Sequence, residues 1–327
     1  MKSTKILLIL TVLSVLCKTG IAQQRDSLTT KIIAATANKF PIARTFNFEF
    51  SGTGAYNFTS KLQGKALPAG RVTNWMQLRA SANINFIQTK KWILSTTFAY
   101  RRTSITAALD EPVAGVNNSL KANFQYHSSS LNLTRITKVF GKTTIVTGSV
   151  SIDGSDKQFE RAKGLIATTM MLKADVKTRL GLGFMVNLDP SAQLPALPIF
   201  TFEHRFNNGL IADITLPRYI YIRKHVLKNG RISIGTELDR TGFYLYNQDT
   251  SERTFEYNQV DVNSGLTYEH LVFNYFILTL KGGMRASMSP RIFDRQETYR
   301  DPIFQAKSDA SGYFNVGVSF NPFVKRR

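Results

Sequence analysis

Histidine and serine are the side chains through which this sequence could most readily do chemistry. Its four histidines are His127, His204, His225 and His270. None belongs to a His-Glu-x-x-His segment or to another zinc-binding spacing. His127 and Ser129 are one residue apart, so on a β-strand both side chains would share a face and the imidazole could activate the hydroxyl. Outer-membrane lipid hydrolases look like this locally, which makes His127 and Ser129 weak catalytic candidates.

A plain turn competes with catalysis at this position. Residues 128–130 are three consecutive serines, and serine hydroxyls commonly bond to local backbone in turns. The sequence favours the turn, so we predict no enzyme activity, no cofactor and no metal site. A lipid-modifying hydrolase is the alternative function.

The composition excludes several classes of protein. The chain has 327 residues, of which 43% are hydrophobic and 11% aromatic, and this richness is not that of a disordered protein. A single cysteine, Cys17, cannot form a disulfide scaffold, and no interior run of 18 apolar residues predicts a membrane helix. The net charge of +20 could suggest a nucleic-acid partner. We predict none, because no recognition helix or RNA-binding aromatic motif is present.

The first 22 residues have the pattern of a secretory signal peptide. A basic start at residues 1–5 precedes an apolar stretch at residues 6–16 that is too short to cross a bilayer, and a plausible cleavage site follows. A membrane anchor and lipoprotein processing at Cys17 are the alternatives, and Leu16 before the cysteine disfavours the second. Cleavage would also remove Cys17. We therefore predict an exported chain.

Strict alternation of apolar and polar residues dominates the rest of the sequence. Residues 76–86 alternate over eleven positions, and residues 259–269 and 314–320 follow the same pattern. Strands that cross an outer membrane need about 9–11 residues, longer than the average soluble strand. A secreted soluble β-sandwich is the alternative. The pattern predicts an all-β fold, a closed antiparallel transmembrane β-barrel of 12–14 strands, whose last strand, 314–320, pairs with the strand at residues 46–50.

The predicted organisation has four parts. Residues 1–22 are the signal peptide, 23–43 an N-terminal lead segment, 44–323 the outer-membrane β-barrel and 324–327 a basic tail. The predicted location is the outer membrane.

The connections predict alternating long loops and short turns. Residues 51–74 and 103–119 are expected to be long, and residues 88–90 and 128–130 to be tight. This alternation of long loops and short turns cannot be followed within residues 141–198.

Charged residues on the polar faces are predicted to line the barrel lumen. These lumen charges are Glu49, Arg79, Lys121, Arg179, Asp213, Arg231, Glu237, Asp261 and Glu269. The first half is mostly basic and the second mostly acidic, so we expect pairing across a narrow lumen. A wide channel with solvated charges is the alternative.

The surplus cations are predicted to lie in loops and at strand ends. There they would bind phospholipid or lipopolysaccharide headgroups, and the chosen lipid-binding residues are Arg101, Arg102, Arg223 and Lys224. Loop solubility is the alternative reason for these cations. Aromatic residues near strand ends suit girdles at the membrane interfaces, although ordinary sheet packing is favoured for each of them individually: Trp75, Trp92, Tyr100, Tyr126, Tyr219, Tyr221, Tyr244, Tyr246 and Tyr275.

Several short stretches resemble an uncharacterised outer-membrane β-barrel family of Gram-negative bacteria, domain-of-unknown-function family 6268. The matching stretches are Phe206-Asn207-Asn208-Gly209, Asp213-Ile214-Thr215-Leu216-Pro217, Tyr221-Ile222-Arg223-Lys224, residues 231–237, Tyr268-Glu269, residues 281–285 and residues 317–323. The resemblance implies a barrel in the outer membrane, inserted by the barrel assembly machinery, and brings no catalytic residues. The expected function is a narrow channel or a structural envelope protein, with no ligand identified.

Overall fold

The computed structural model describes residues 28–113, 118–189, 191–246 and 253–322. The predicted signal peptide and basic tail lie outside the described residues. Helix α1 spans Leu28–Lys39 and a 3₁₀ turn spans Pro41–Ala43. The strands are β1 Phe46–Thr53, β2 Tyr56–Leu62, β3 Lys65–Gln88, β4 Trp92–Leu109, β5 Ser119–Val139, β6 Lys142–Gly154, β7 Phe159–Ala174, β8 Thr178–Leu188, β9 Ala196–Arg205, β10 Leu210–Leu216, β11 Tyr219–Val226, β12 Gly230–Leu245, β13 Phe255–Val272, β14 Phe276–Asp294, β15 Pro302–Ser308 and β16 Ser311–Phe320.

The strands form a closed antiparallel barrel of 14 strands. β1 and β2 follow one another along β3, and β15 and β16 do the same along β14, so each pair forms one interrupted barrel strand. β1 pairs with β16 from Phe46↔Phe320 to Thr53↔Tyr313, which leaves no open edge in the hydrocarbon. The predicted barrel, its strand number and the pairing of the last strand with the first are confirmed.

Alternation gives the barrel an apolar outer face. On β16, Val316 and Val318 are exposed while Asn315 and Ser319 are buried in the lumen. On the other strands too, apolar side chains are exposed on the outer face, as a belt in contact with lipid requires. Exposed apolar side chains of this belt include Phe48, Met76, Phe98, Leu133, Val150, Ile166, Phe184, Ile222, Ile234, Leu266 and Leu280. No helix in the described ranges is long and apolar enough to span a membrane.

The two ends of the barrel differ in their connections. One end, the short-turn end, carries the turns at residues 89–91, 140–141, 175–177, 206–209, 227–229 and 273–275. The other, the long-loop end, carries the described residues 110–113, 118, 155–158, 189, 191–195, 246, 253–254 and 295–301. At the short-turn end, Phe140 and Gly141 both have positive φ, as a two-residue hairpin turn that follows sheet twist requires.

Two predicted connections are wrong. Residues 128–130 lie within β5, where pairing with β4 and β6 overrides the turn preference of serine. A turn at residues 128–130 would reverse the chain once too often, so each later connection was expected at the wrong end of the barrel. The predicted alternation of long loops and short turns therefore failed within residues 141–198. Residues 51–74 are mostly the β2–β3 hairpin, closed by Gln63 and Gly64, rather than a long loop.

Candidate functional site in the barrel lumen

Helix α1 crosses the lumen at the short-turn end. Near its start, the Gln88 amide of β3 donates to the Thr30 hydroxyl over 2.6 Å. At its end, Lys39 Nζ lies 2.9 Å from Asp213 of β10 and 3.2 Å from Glu203 of β9. These strands stand on opposite sides of the ring, and a helix of 12 residues is about 18 Å long. The helix therefore reaches across the mouth.

Buried Arg44 fastens the helix to the wall. Its guanidinium donates to the Ala37 carbonyl over 3.1 Å, to the Ser319 hydroxyl over 3.0 Å and to Glu269. Arg231 shares Glu269 and also donates to the Asn38 carbonyl over 3.1 Å. Each of these cations connects the helix with strands far away in sequence.

Lys39 remains charged in this position. Burial lowers the pKa of Lys39, but Tyr219, Asp213 and Glu203 raise it by more, so the pKa lies above the ordinary value of 10.5. The ion pairs at the end of α1 therefore persist throughout the neutral range.

One side of the lumen carries most of the charge. We call it the charged wall: the lumen faces of β9–β14, β16, β1 and β3. Most of its ion pairs join neighbouring strands: Arg223–Asp213 at 3.3 Å, Arg285–Asp261 at 2.7 Å and Arg231–Glu269. Lys281 of β14 reaches over β13 to Glu237 of β12, at 2.6 Å. Pairing is what makes such charges tolerable away from bulk water.

The upper parts of β12 and β13 reach into the lumen below the long-loop end, while residues 255–258 of β13 stay paired with β14. β11 pairs with β12 only as far as Tyr219↔Glu237, so the upper part of β12 is held by β13 alone. We call residues 238–245 and 255–260 the crossbar. Phe243 stacks on Phe124 of β5 with ring centroids 4.2 Å apart, and β5 stands diametrically opposite β12 in the ring. The crossbar thus spans the whole lumen.

Both faces of the crossbar are anchored. On one face, Gln77 of β3 donates to the Thr241 hydroxyl over 3.0 Å. On the other, the Tyr244 hydroxyl donates to Asp153 of β6 over 2.8 Å, and buried Glu256 lies 3.6 Å from Arg161. Polar contacts with the barrel wall therefore hold the crossbar on both of its faces.

The opposite side of the lumen is made of small side chains. We call it the neutral wall: the lumen faces of β4–β8. Between its charged ends it carries hydroxyl, amide and short apolar groups. A pocket of about 270 Å³ on this wall is lined by Thr97, Ser128, Ser130, Ser149, Ser151 and Asn187, among others.

A larger cavity of about 780 Å³ occupies the lumen between α1 and the crossbar. It shares Ile42 and Ala99 with the smaller pocket. The described residues that line it include nine Lys or Arg and five Asp or Glu, so its surroundings are net basic.

The predicted lumen charges mostly face the lumen. Glu49, Arg79, Arg179, Asp213, Arg231, Glu237, Asp261 and Glu269 occupy lumen positions. Lys121 is an error, because it pairs with Thr106 on the outer face. The sequence prediction placed Phe124 on the lipid-facing side of its strand and Lys121 in the lumen. In the structure Phe124 faces inward and packs against the crossbar, so Lys121 faces outward.

The predicted pairing across the lumen holds for one ion pair of the predicted set. Arg79 reaches Asp239 from the other side. The ion pairs of Arg179, Asp213, Arg231, Asp261 and Glu269 join neighbouring strands, and that of Glu237 with Lys281 joins strands two apart. Glu49 accepts hydrogen bonds from Asn47 and Asn315.

Two of the predicted headgroup residues are also wrong. Arg101 faces the lumen opposite Arg79, and Arg223 is buried against Asp213 and the rings of Tyr219 and Tyr221. Their neighbours Arg102 and Lys224 are exposed on the outer face. Of the predicted girdle, Trp75, Tyr126, Tyr219, Tyr221, Tyr244 and Tyr246 point inward instead.

The catalytic candidates point away from the lumen. His127 and Ser129 pair with Tyr100 and Phe98 on the lipid-facing side of the wall, and the His127 ring lies 5.6 Å from the ring of Phe159. The lumen serines of this strand are Ser128 and Ser130.

Several lumen residues were missed from sequence. Asp239, Lys281 and Arg285 could have been found, because each continues a lumen face already identified. Lys39 and Arg44 carried no such signal, since their partners lie 174 and 225 residues away. In the described part of the chain, no group of three His, Cys, Asp or Glu residues could hold a metal ion.

Comparison with known proteins gives distant structural matches. No protein-family model and no curated protein matches the chain. An outer membrane channel from Pseudomonas putida F1 is 8% identical, with a TM-score of 0.38, over 85% of this chain and 96% of the other. A FadL homologue from Pseudomonas aeruginosa is 9% identical, with a TM-score of 0.29, over 88% of this chain and 94% of the other. The toluene transporter TodX from Pseudomonas putida is 10% identical, with a TM-score of 0.31, over 84% of this chain and 89% of the other.

Proposed function

We propose that the protein is a narrow outer-membrane channel that is closed at rest by α1. The observation that carries this is the net basic cavity of about 780 Å³ between α1 and the crossbar. The space is bounded on one side by paired charges and on the other by Ala99, Thr169, Met185 and Ile199. It adjoins the hydroxyl-lined pocket of about 270 Å³, which water and small polar solutes can wet.

The way α1 is attached supports its role as a removable plug. α1 belongs to no strand pairing, and side chains such as Gln88, Lys39 and Arg44 hold it. It joins β1 through Pro41–Ala43. The helix can therefore leave the mouth without the loss of a single ladder hydrogen bond of the barrel.

A structural envelope protein is the second candidate. The observation that favours it is the crossbar, which ties β12 and β13 to β3, β5 and β6. Such cross-linking stiffens a barrel whether or not anything passes through it.

Conductance across planar bilayers separates the two candidates. The full chain would be compared with Arg44→Ala, which removes the central anchor of α1, and with Lys31→Ala, which changes an exposed charge on the same helix. Heat-modifiable migration on a gel would confirm that each variant is folded. We expect small, rare currents from the wild type and Lys31→Ala, and frequent larger openings from Arg44→Ala.

A folded Arg44→Ala barrel without current would reject the channel and leave the structural role. Large, steady currents from the wild type would reject the plug. Export through residues 1–22, insertion by the barrel assembly machinery, and binding of lipid or lipopolysaccharide by Arg102 and Lys224 belong to the same proposal. Membership of family 6268 stays a prediction.

A further inference from the structure

Arg101 is a lumen cation that none of the described residues contacts through an ion pair or a side-chain hydrogen bond. It lies directly opposite Arg79 on β3, and like charges in facing positions destabilise a sheet. Arg79 is satisfied by Asp239 and by the Gln77 side chain. Within the described residues, Arg101 makes no hydrogen bond or ion pair, and its Nε is buried with no partner. Two guanidinium groups thus meet one carboxylate.

The surroundings of Arg101 leave room for a ligand. It lines the cavity of about 780 Å³ at the border between the charged wall and the neutral wall. The next lumen position along β5 from its partner Tyr126 is Ser128, whose hydroxyl also has no hydrogen-bond partner in the described ranges. Ser128 lines the smaller pocket of about 270 Å³ that adjoins this cavity, so an unused forked donor and an unused hydroxyl lie in adjoining parts of the lumen.

A buried, unpaired cation is costly, so a counter-charge is expected where one persists. The planar guanidinium matches the two oxygens of a carboxylate or phosphate group better than it matches a spherical ion. The net basic lining of the cavity favours the same sign of ligand.

We propose that Arg101 is a binding station for the oxyanion group of a small carboxylate or phosphate solute, with Ser128 as a neighbouring hydroxyl donor. This rests on the proposed function in one respect: the station lies on the path that the channel would open. It makes the channel selective for anionic solutes.

The test uses the full chain in zwitterionic detergent and titrates inorganic phosphate, and separately acetate, by calorimetry. The variants are Arg101→Gln and the control Lys121→Gln, which removes an exposed cation of the outer face that has no proposed ligand. We expect wild type and Lys121→Gln to bind equally, and Arg101→Gln to bind about tenfold more weakly or worse, as expected for the loss of a hydrogen bond to a charged group.

The same variants distinguish a free solute from a lipid headgroup. In bilayers of zwitterionic lipid only, phosphate should reduce the current of an Arg44→Ala channel, and Arg101→Gln should abolish that block. If block appears only when anionic lipid is present, the station does not take a free solute. Calorimetry does not depend on conduction, so a barrel that carries no current can still pass or fail the binding test.

Stability provides the remaining check. Because Arg101 faces Arg79 without a partner among the described residues, Arg101→Gln should fold and unfold at least as late in denaturant as the wild type. Equal phosphate binding by all three proteins, or no binding by any, overturns the proposal. So does an Arg101→Gln protein that fails to fold, since the arginine would then be structural.

Discussion

The charged wall and the neutral wall of the lumen present the same apolar exterior and opposite interiors. Outside, Phe98 on β4 and Leu280 on β14 are about equally exposed. Inside, β14 contributes Lys281 and Arg285 to ion pairs, whereas β5 and β6 contribute serines and threonines. Contact with lipid requires the outward-facing residues of every strand to be apolar. The inward-facing residues are free to vary from one part of the barrel to the next.

The paired charges of one wall and the hydroxyl side chains of the other differ in how easily they can accommodate a solute. On the charged wall, each group depends on its partner, because removal of one charge strands the other in a poorly solvated site. On the neutral wall, a hydroxyl can exchange a protein partner for water or solute at little cost. We therefore expect the charged wall to carry stability and the neutral wall to carry the path.

The largest effect should come from Asp261→Ala on the charged wall. Asp261 pairs with Arg285 at 2.7 Å and accepts hydrogen bonds from Gln259 and Ser287. Removal of one partner of a buried pair costs about 3–5 kcal/mol of unfolding free energy. Denaturant titration in lipid vesicles measures it. Ser149→Ala on the neutral wall loses one hydrogen bond and about 1 kcal/mol, and equal losses in the two variants would erase the distinction between the walls.

A smaller loss is expected from Phe243→Leu in the crossbar. Phe243 stacks between Phe124 and Tyr257, at 4.2 Å and 4.5 Å between ring centroids. Loss of aromatic stacking with volume nearly kept should cost about 1 kcal/mol. Phe98→Leu, on the lipid-facing side, is the matched control and should change little. If the crossbar also restricts the path, Phe243→Leu should raise the conductance of an Arg44→Ala channel, and an unchanged conductance would make the crossbar purely structural.

Filling the neutral wall should change conduction more than stability. Ser151→Phe puts an aromatic ring into the pocket of about 270 Å³, whereas Val150→Phe puts the same ring on the adjacent outward position. In single-channel recordings of Arg44→Ala barrels, we expect Ser151→Phe to lower the open conductance by about half or more while folding is retained, since open space is available. A drop caused equally by Val150→Phe would contradict a path along this wall.

The smallest effect concerns pH at the long-loop end of the neutral wall. Burial raises the pKa of Asp189, but Lys163, the Ser191 hydroxyl and Arg240 outweigh burial and hold the pKa below its ordinary value of 3.8. Its anchoring contribution is therefore complete above about pH 4 and lost only as the pH falls through the lowered pKa. Protease cleavage within residues 189–195 should be unchanged between neutral and mildly acidic pH. Asp189→Asn should be cleaved faster at neutral pH, and no difference from wild type would show that the anchor is dispensable.

Period-two patterning predicted the barrel, its closure and most lumen charges, because lipid imposes the same rule on every strand. Its errors have more than one cause. Residues 128–130 were assigned to a turn because serine favours turns, whereas pairing with β4 and β6 keeps them in a strand. Lys121 was assigned on the rule that apolar side chains face outward, but Phe124 faces inward because Phe243 of the crossbar covers it. The plug and the crossbar are made by contacts between residues far apart in the chain, and no local pattern records them.

The anchoring of α1 sets an order of events during assembly. Neighbouring hairpins of the barrel can pair as soon as their strands are available, but Arg44 needs Glu269 and Ser319, which lie 225 and 275 residues further along. Contacts of such long separation form slowly. The segment that leads the described chain therefore reaches its final place only when the last strand arrives. A barrel that closes before the helix has entered would be complete in its sheet and still open at its mouth.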